Sequence, residues 1–252
     1  MSKNWKKYGQ HFLKDKNIVK KEIEQADIKS TDTVLEIGPG TGILTLELAK
    51  IAKQVIAIEI DSLLIEYLQD VCPKNVLLIN NDALKIDFSS IPIFTKIVSN
   101  LPYQISSPIT FKFLNYDFIK ALLIYQKEFA ERMIATPKTN NYGRLSVNIY
   151  YKAKCTMIQT ISKHCFSPEP KIDSAMIELI PRSHPPFHVE NEEFFFDFTK
   201  KVFSYRRKKI KTILKKWYQI KNLDIPFAEQ RIEELTPEEI GILSNIVYKK
   251  TI

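Results

Sequence analysis

Five short apolar runs constrain this chain more than any other feature of its sequence. They are TVLEIG (33–38), QVIAIEI (54–60), NVLLINN (75–81), TKIVSN (95–100) and KALLIYQ (120–126). Each is bounded by turn or polar residues, which predicts strands buried on both faces. Between the first two lies ILTLELAKIAK (43–53), with Leu44, Leu48 and Ile51 at helical spacing, and SLLIEYLQDV (62–71) repeats the pattern after the second. Strand alternating with helix dictates an α/β fold, a parallel sheet with right-handed crossovers. Two further strand candidates, CTMIQTI (155–161) and SAMIELI (174–180), have no long helix between them and are expected to pair antiparallel at an edge.

The segment PRSHPPF (181–187) is rich in Pro and polar residues and reads as a linker. Beyond it Phe198, Val202, Phe203, Ile210, Ile213, Leu214 and Trp217 fall roughly on one helical face. In TPEEIGILSNIVYKK (236–250), Thr236 stands as N-cap, Pro237 follows it and Glu239 takes the capping-box position. The expected domains are therefore 1–181, α/β, and 182–252, helical. A chain of 252 residues suits this division. The three cysteines are scattered, and neither they nor the four histidines have metal-ligand spacing, so no metal site is indicated. No signal-peptide or membrane-length apolar run occurs, which points to a cytoplasmic setting.

EIGPGTG joins the first strand to the first helix, with glycines at 38, 40 and 42. They allow a sharp turn and bring a ligand close to the main chain at a helix start. A dinucleotide fingerprint would require glycine at 43, which is Ile. The G-x-G-x-G spacing instead resembles the first motif of S-adenosylmethionine-dependent methyltransferases. Glu59 ends the second strand, where a carboxylate can accept from both ribose hydroxyls, and Asp82 follows the third, where it can accept from the adenine amine of that cofactor. The fourth strand ends in Asn100-Leu101-Pro102-Tyr103 on the same rim. Pro102 stiffens the turn, the Asn100 oxygen and nearby carbonyls offer acceptors, and Tyr103 offers a flat face. These parts suit a nucleobase bearing an NH₂ group, whose nitrogen acceptors can activate for attack on a methyl sulfonium.

In chain order GQHFL (9–13), EIGPGTG, AIEID, NDAL, NLPY, QKEFAERM (126–133), YGRLSV (142–147), FSPEPKIDSAMIEL (166–179) and FSYRRKKIKTIL (203–214) resemble the KsgA-type rRNA adenine N6,N6-dimethyltransferases, over most of the chain. The resemblance implies a Rossmann-like, mostly parallel sheet with one antiparallel edge strand and a small C-terminal helical domain. It implies S-adenosylmethionine held by Gln10, His11, Leu13, Gly38, Gly40, Gly42, Glu59, Asp82, Ala83 and Asn100. Asn100, Leu101, Pro102 and Tyr103 would form the catalytic corner, with Phe166 a second aromatic near the base. His11 stands where the bacterial pattern has Asn, which adds a titratable group. The implied reaction dimethylates two adjacent adenines near the 3′ end of small-subunit rRNA in a pre-30S particle, by a monomer.

From Lys200 to Lys221 there are ten Lys or Arg and no Asp or Glu, within a net charge of +8. Like charges on neighbouring turns repel, so an RNA backbone is the expected partner, through Arg206, Arg207, Lys208, Lys209, Lys211 and Lys215. Three alternatives carry the same core: a 23S rRNA adenine methyltransferase of the antibiotic-resistance type, a non-catalytic ribosome-assembly factor, and a DNA adenine methyltransferase. The first typically reads NIPY, the second has no reason to keep the Gly loop, Glu59, Asp82 and NLPY intact, and the third lacks the other segments.

Overall fold

The computed structural model describes residues 11–220 and 225–251. Its first elements are β1 (Phe12–Leu13), α1 (Lys16–Ala26), β2 (Thr33–Ile37), α2 (Ile43–Ala49), β3 (Gln54–Glu59), α3 (Ser62–Val71), β4 (Val76–Asn80), β5 (Lys96–Asn100), α4 (Ser106–Phe113) and β6 (Lys120–Gln126). There follow α5 (Lys127–Met133), α6 (Arg144–Lys152), β7 (Ala153–Ile161), β8 (Phe166–Ser167), β9 (Ser174–Pro181), α7 (Glu192–Phe203), α8 (Ile210–Tyr218) and α9 (Pro237–Thr251). Two groups of these residues cluster by contact. One is the chain up to Ala130 with Thr156–Pro181, and the other is Glu131–Cys155 with the chain from Arg182. The expected single cut after residue 181 thus omits residues 131–155. Tyr142, Val147 and Tyr151 explain why, since their side chains are buried in the same core as Phe195, Phe198 and Leu243.

The first unit is built on a sheet of order β4-β3-β2-β5-β6-β9-β7. β2 pairs parallel with β3 and β5, β3 with β4, and β5 with β6, as the alternating pattern requires. All five residues of β2 are buried, so this strand sits between two layers of helix. β4 differs from its expected double burial: Val76–Ile79 are only half-buried, because the strand is the edge of the sheet. β9 pairs antiparallel with β6, Ala121 opposite Leu179, and β7 lies beyond it, so the edge expected to be antiparallel is two strands deep.

Capping residues fix the helix starts. Asp15 accepts from the Asn17 N–H at 2.8 Å and Asp61 from the Leu63 N–H at 3.0 Å, each beginning its helix. α2 ends at Ala49, short of the expected residue 53, since Ile51 and Ala52 turn back in bonds to the Leu48 carbonyl. Leu44, Leu48, Val55, Val98, Leu122 and Met176 belong to one apolar cluster. Each such side chain contributes about 1.5–3 kcal/mol by leaving water. At the amino ends of the strands, Lys96 and Asp32 form a 3.1 Å ion pair whose side chains are each 7% exposed, and Thr95 Oγ1 donates to Asp32 at 2.8 Å.

The strand order reverses between β2 and β5. Their ladder runs only from Val34–Lys96 to Leu35–Ile97 and then opens, which leaves a crevice at the carboxyl ends. Ser99, fully buried, holds the two strands at that point. Its Oγ donates to the Ile37 carbonyl at 2.6 Å and accepts from the Ile37 N–H at 3.3 Å.

The second unit packs α6, α7, α8 and α9 around Phe195, Phe198, Ile210, Leu214, Ile240 and Val247. α9 has the expected capping box: Glu239 N–H donates to Thr236 Oγ1 at 3.2 Å and Thr236 N–H to Glu239 Oε2 at 2.8 Å. The helical pattern over 194–220 is broken at residues 204–209. There the Ile210 and Lys211 N–H groups bond the carbonyls of Gln230 (2.9 Å) and Ala228 (3.0 Å) instead of a preceding turn. Among the described residues no helix is long and apolar enough to cross a membrane.

Candidate active site

The crevice between β2 and β5 opens into a cleft of about 270 Å³, all of it within the first unit. Its floor is the glycine turn. Gly38, Gly40 and Gly42 all have positive φ, and Gly38 N–H donates to the Ile58 carbonyl at 2.8 Å. Gly40 combines a left-handed φ of 58° with contact: a Cβ there would lie 2.7 Å from the Phe12 ring. Gly38 and Gly40 line the cleft. Gly42 does not; it starts α2, and a Cβ there would meet Leu68 Cδ2 at 2.8 Å. Glycine is needed at 42 for close packing between α2 and α3 as well as for its positive φ.

Glu59 is 3% exposed at the end of β3. Its Oε1 accepts from the Ile60 N–H at 2.9 Å and the Asp61 N–H at 3.0 Å, which fixes the rotamer. Its Oε2 is buried in the cleft wall with no hydrogen bond among the described residues, although the Gly40 N–H lies close enough to the carboxylate to act on it. Burial pushes its pKa up, against the backbone N–H groups of Asp61, Gly40 and Ile60. Asp82 and Ala83 form the adjoining wall, where Asp82 Oδ1 accepts from the Leu84 N–H at 2.9 Å.

The opposite wall is Asn100, Leu101, Pro102 and Tyr103. Asn100 Oδ1 is buried without a hydrogen-bond partner among the described residues. An orphaned acceptor of this kind costs about 1–3 kcal/mol unless a ligand donor meets it. Pro102 sits at φ −58°, ψ 123°, and its carbonyl accepts from the Ile105 N–H at 3.1 Å, so the corner passes directly into a short turn and α4. Tyr103 is held twice. Its hydroxyl shares a 2.7 Å hydrogen bond with Ser174 Oγ, and its ring stacks on His11 with centroids 5.6 Å apart and planes at 28°.

His11 lines the cleft, and its Nδ1 lies 2.7 Å from the Pro168 carbonyl. A carbonyl only accepts, so Nδ1 carries a hydrogen. The pairing behind this is β1 with β8, Phe12 opposite Ser167 and Leu13 opposite Phe166. Alternation along β1 turns Phe12 toward the cleft and Leu13 into the core. Leu13 and Phe166 are 3% and 2% exposed within the central apolar cluster and do not line the cleft. Phe166, expected near the base, is drawn inward because its register partner Leu13 is a core residue. Gln10 lies outside the described residues.

Sequence reading missed Phe12, Ser99 and Ser174. Alternation in GQHFL would have set Phe12 on the face opposite His11, yet both line the cleft. Nothing local marks either serine, since each acts through a partner distant in sequence. The cleft as a whole is rich in acceptors (Glu59 Oε2, Asn100 Oδ1, Asp82) over a floor open to close backbone approach. It fits a ligand that presents several N–H and O–H donors. S-adenosylmethionine, with ribose hydroxyls, an adenine amine and an ammonium, is such a ligand.

The basic run belongs to the second unit, and its charges are more compensated than expected. Arg206 Nε lies 3.3 Å from Glu233, and its Nη1 donates to the carbonyls of Asn140 (3.0 Å) and Tyr142 (3.2 Å). Lys209 and Lys211 both bind Glu229, whose pKa they pull down to about 2. These acids come from residues 229–233, beyond the window that looked uncompensated. Arg207, Lys208 and Lys215 are exposed and have no acidic partner among the described residues. Beside them Lys216 Nζ donates to the Tyr205 hydroxyl at 2.8 Å, and Trp217 is 42% exposed.

The sequence matches the family described as ribosomal RNA adenine dimethylase over residues 1–248. A probable ribosomal RNA small subunit methyltransferase A of Methanococcus vannielii is 48% identical, with 98% of this chain and 97% of the relative covered. A crystal structure of a dimethyladenosine transferase from Plasmodium falciparum is 32% identical, with a TM-score of 0.81 over 96% of this chain and 99% of that one. The 23S rRNA methyltransferase ErmE is 26% identical, with a TM-score of 0.68 over 95% and 99% of the two chains.

Proposed function

The chain belongs to the ribosomal RNA adenine dimethylase family, and we propose that its cleft dimethylates N6 of two adjacent adenines near the 3′ end of small-subunit rRNA. The enzyme is an S-adenosylmethionine-dependent rRNA methyltransferase. The observation that carries the site assignment is the buried Asn100 Oδ1, unpartnered among the described residues, on a residue that lines the same cleft as Glu59.

Bound S-adenosylmethionine supplies an electrophilic methyl group. Glu59 accepts from its ribose hydroxyls, Asp82 from its adenine amine, and Gly38 and Gly40 let it lie against the backbone. Asn100 Oδ1 accepts one N6–H of the target adenine. That contact draws the nitrogen lone pair out of the ring and stabilises the positive charge that develops on N6. Tyr103, held by Ser174 and His11, orients the base for in-line attack. The second methylation starts from an N6 with one hydrogen, so Asn100 and a backbone carbonyl cannot both remain engaged.

Arg207, Lys208 and Lys215 offer free cations to RNA phosphates, while Arg206, Lys209 and Lys211 contribute to the basic surface only after loosening from their acids. The substrate is a pre-30S particle, and the enzyme acts as a monomer in the cytoplasm. A large-subunit target is the second reading, drawn from the likeness to ErmE. Primer extension on both rRNAs after incubation with the enzyme and S-adenosylmethionine separates the two. Stops at adjacent adenines in the small-subunit RNA support the proposal, and a stop in the large-subunit RNA alone overturns it.

A further inference from the structure

We propose that Lys112 is a positioning residue for cofactor binding: its ammonium caps the turn that carries Asp82 and Ala83 into the cleft. The inference rests on the reading that Asp82 and Ala83 contact S-adenosylmethionine.

After β4 the chain makes a single helical turn. The Asp82 carbonyl accepts from the Lys85 N–H at 2.9 Å and the Ile86 N–H at 3.0 Å, and Asp82 Oδ1 caps the Leu84 N–H. A turn this short leaves carbonyls at its far end with no N–H ahead of them. Those of Ala83 and Leu84 lie 2.9 and 3.1 Å from Lys112 Nζ, and that of Ile86 is also bonded to it. A lysine ammonium has three N–H donors and no acceptor, so its hydrogen-bonding capacity is fully spent on this one turn. Among the described residues no backbone N–H is bonded to these three carbonyls. The ammonium also stands 4.5 Å from the centroid of Phe88, a buried ring, which fixes its approach.

Lys112 lies near the end of α4, and α4 grows out of the NLPY corner through the turn Tyr103–Ile105. One short helix therefore joins the acceptor corner at its start to the Asp82 turn at its end. Lys112 anchors the far end of that helix to the wall that takes the cofactor adenine. An ordinary surface lysine would touch one carbonyl or none and would leave the turn to water.

Lys112→Met keeps the stem over Phe88 and removes the donors. It is expected to weaken S-adenosylmethionine binding, measured by titration calorimetry, about tenfold. The KM for S-adenosylmethionine rises in step, while kcat at saturating cofactor and the KM for RNA change by less than about twofold. Lys112→Arg restores most of the affinity. In an Asp82→Ala background the Lys112→Met effect shrinks to less than about twofold, because the contact it positions is gone. Wild-type affinity in Lys112→Met, or an undiminished loss in the Asp82→Ala background, overturns the proposal. If Asp82→Ala alone binds cofactor as wild type does, the underlying reading of the wall fails instead. Should Lys112→Met not fold, the same cycle with Lys112→Gln decides the matter.

Discussion

Asn100 carries a buried oxygen with no hydrogen-bond partner among the described residues, which leaves it free for a ligand donor. Replacing it with Ala is expected to lower kcat about 100-fold or more, as for loss of one preorganised charge-stabilising contact, with the fold intact by circular dichroism. Glu59→Ala is expected to weaken S-adenosylmethionine binding at least about tenfold in calorimetry, since a rigid acceptor for the ribose hydroxyls is lost. Two further carboxyls, Glu22 and Glu36, are buried with oxygens unpartnered among the described residues. Burial raises both, Glu36 to about 8, with Glu59 adding to that shift. The folded protein keeps these protons at a pH where the unfolded chain has released them. Stability from Glu36 is therefore present below its unfolded pKa, near 4.5, and falls as pH rises toward about 8, by up to ~1.4 kcal/mol per pH unit. Denaturant melts across that window should show a shallower decline for Glu36→Gln than for wild type. Strand-end residues such as Asn100, Glu59 and Asp82 were legible in the sequence because their place follows from the alternation of strand and helix. Phe166 was not, because its direction depends on pairing with Leu13, 153 residues away. The resemblance suggested a role near the base, and the ring is packed within the central apolar cluster.

The strand–glycine turn–helix element was legible nearly whole, since three glycines after an apolar run leave few alternatives. What the sequence could not divide was their labour, because Gly40 meets Phe12 and Gly42 meets Leu68, both distant contacts. Gly40→Ala would place a methyl 2.7 Å from the Phe12 ring at a φ of 58°, so a loss of about 1–3 kcal/mol of stability is expected by chemical denaturation, with cofactor affinity reduced as Phe12 shifts. The basic element shows the reverse case. Its periodicity continued through residues 204–209, yet bonds to Ala228 and Gln230 break the helix there. The same segment, at Glu229 and Glu233, supplies the acids that tie down half of the cations expected to be free. Charge removal at Arg207, Lys208 and Lys215 together should flatten the plot of log RNA affinity against log salt by about 2–3 units. The equivalent change at Lys209 and Lys211 should flatten it less, and filter binding at four salt concentrations distinguishes them.

At the scale of the whole chain, the sequence placed one boundary near residue 182, where composition changes. The other crossings, after Ala130 and after Cys155, leave no compositional mark. The second falls inside β7, a continuous strand whose first residues belong with the helical unit. Each unit has its own apolar cluster, and the separate cores account for the division. The first unit contains every proposed cofactor and base contact among the described residues, and the second holds the exposed cations. The cleft built on Asn100 and Glu59 is expected to place four methyl groups on two neighbouring adenines. Mass spectrometry of the 3′ fragment of small-subunit rRNA tests it, after unmethylated particles react with the enzyme and S-adenosylmethionine. Two adjacent N6,N6-dimethyladenosines, lost when Asn100 is replaced by Ala, are the predicted result. An unmodified fragment, or equal modification by the Asn100→Ala enzyme, would contradict it.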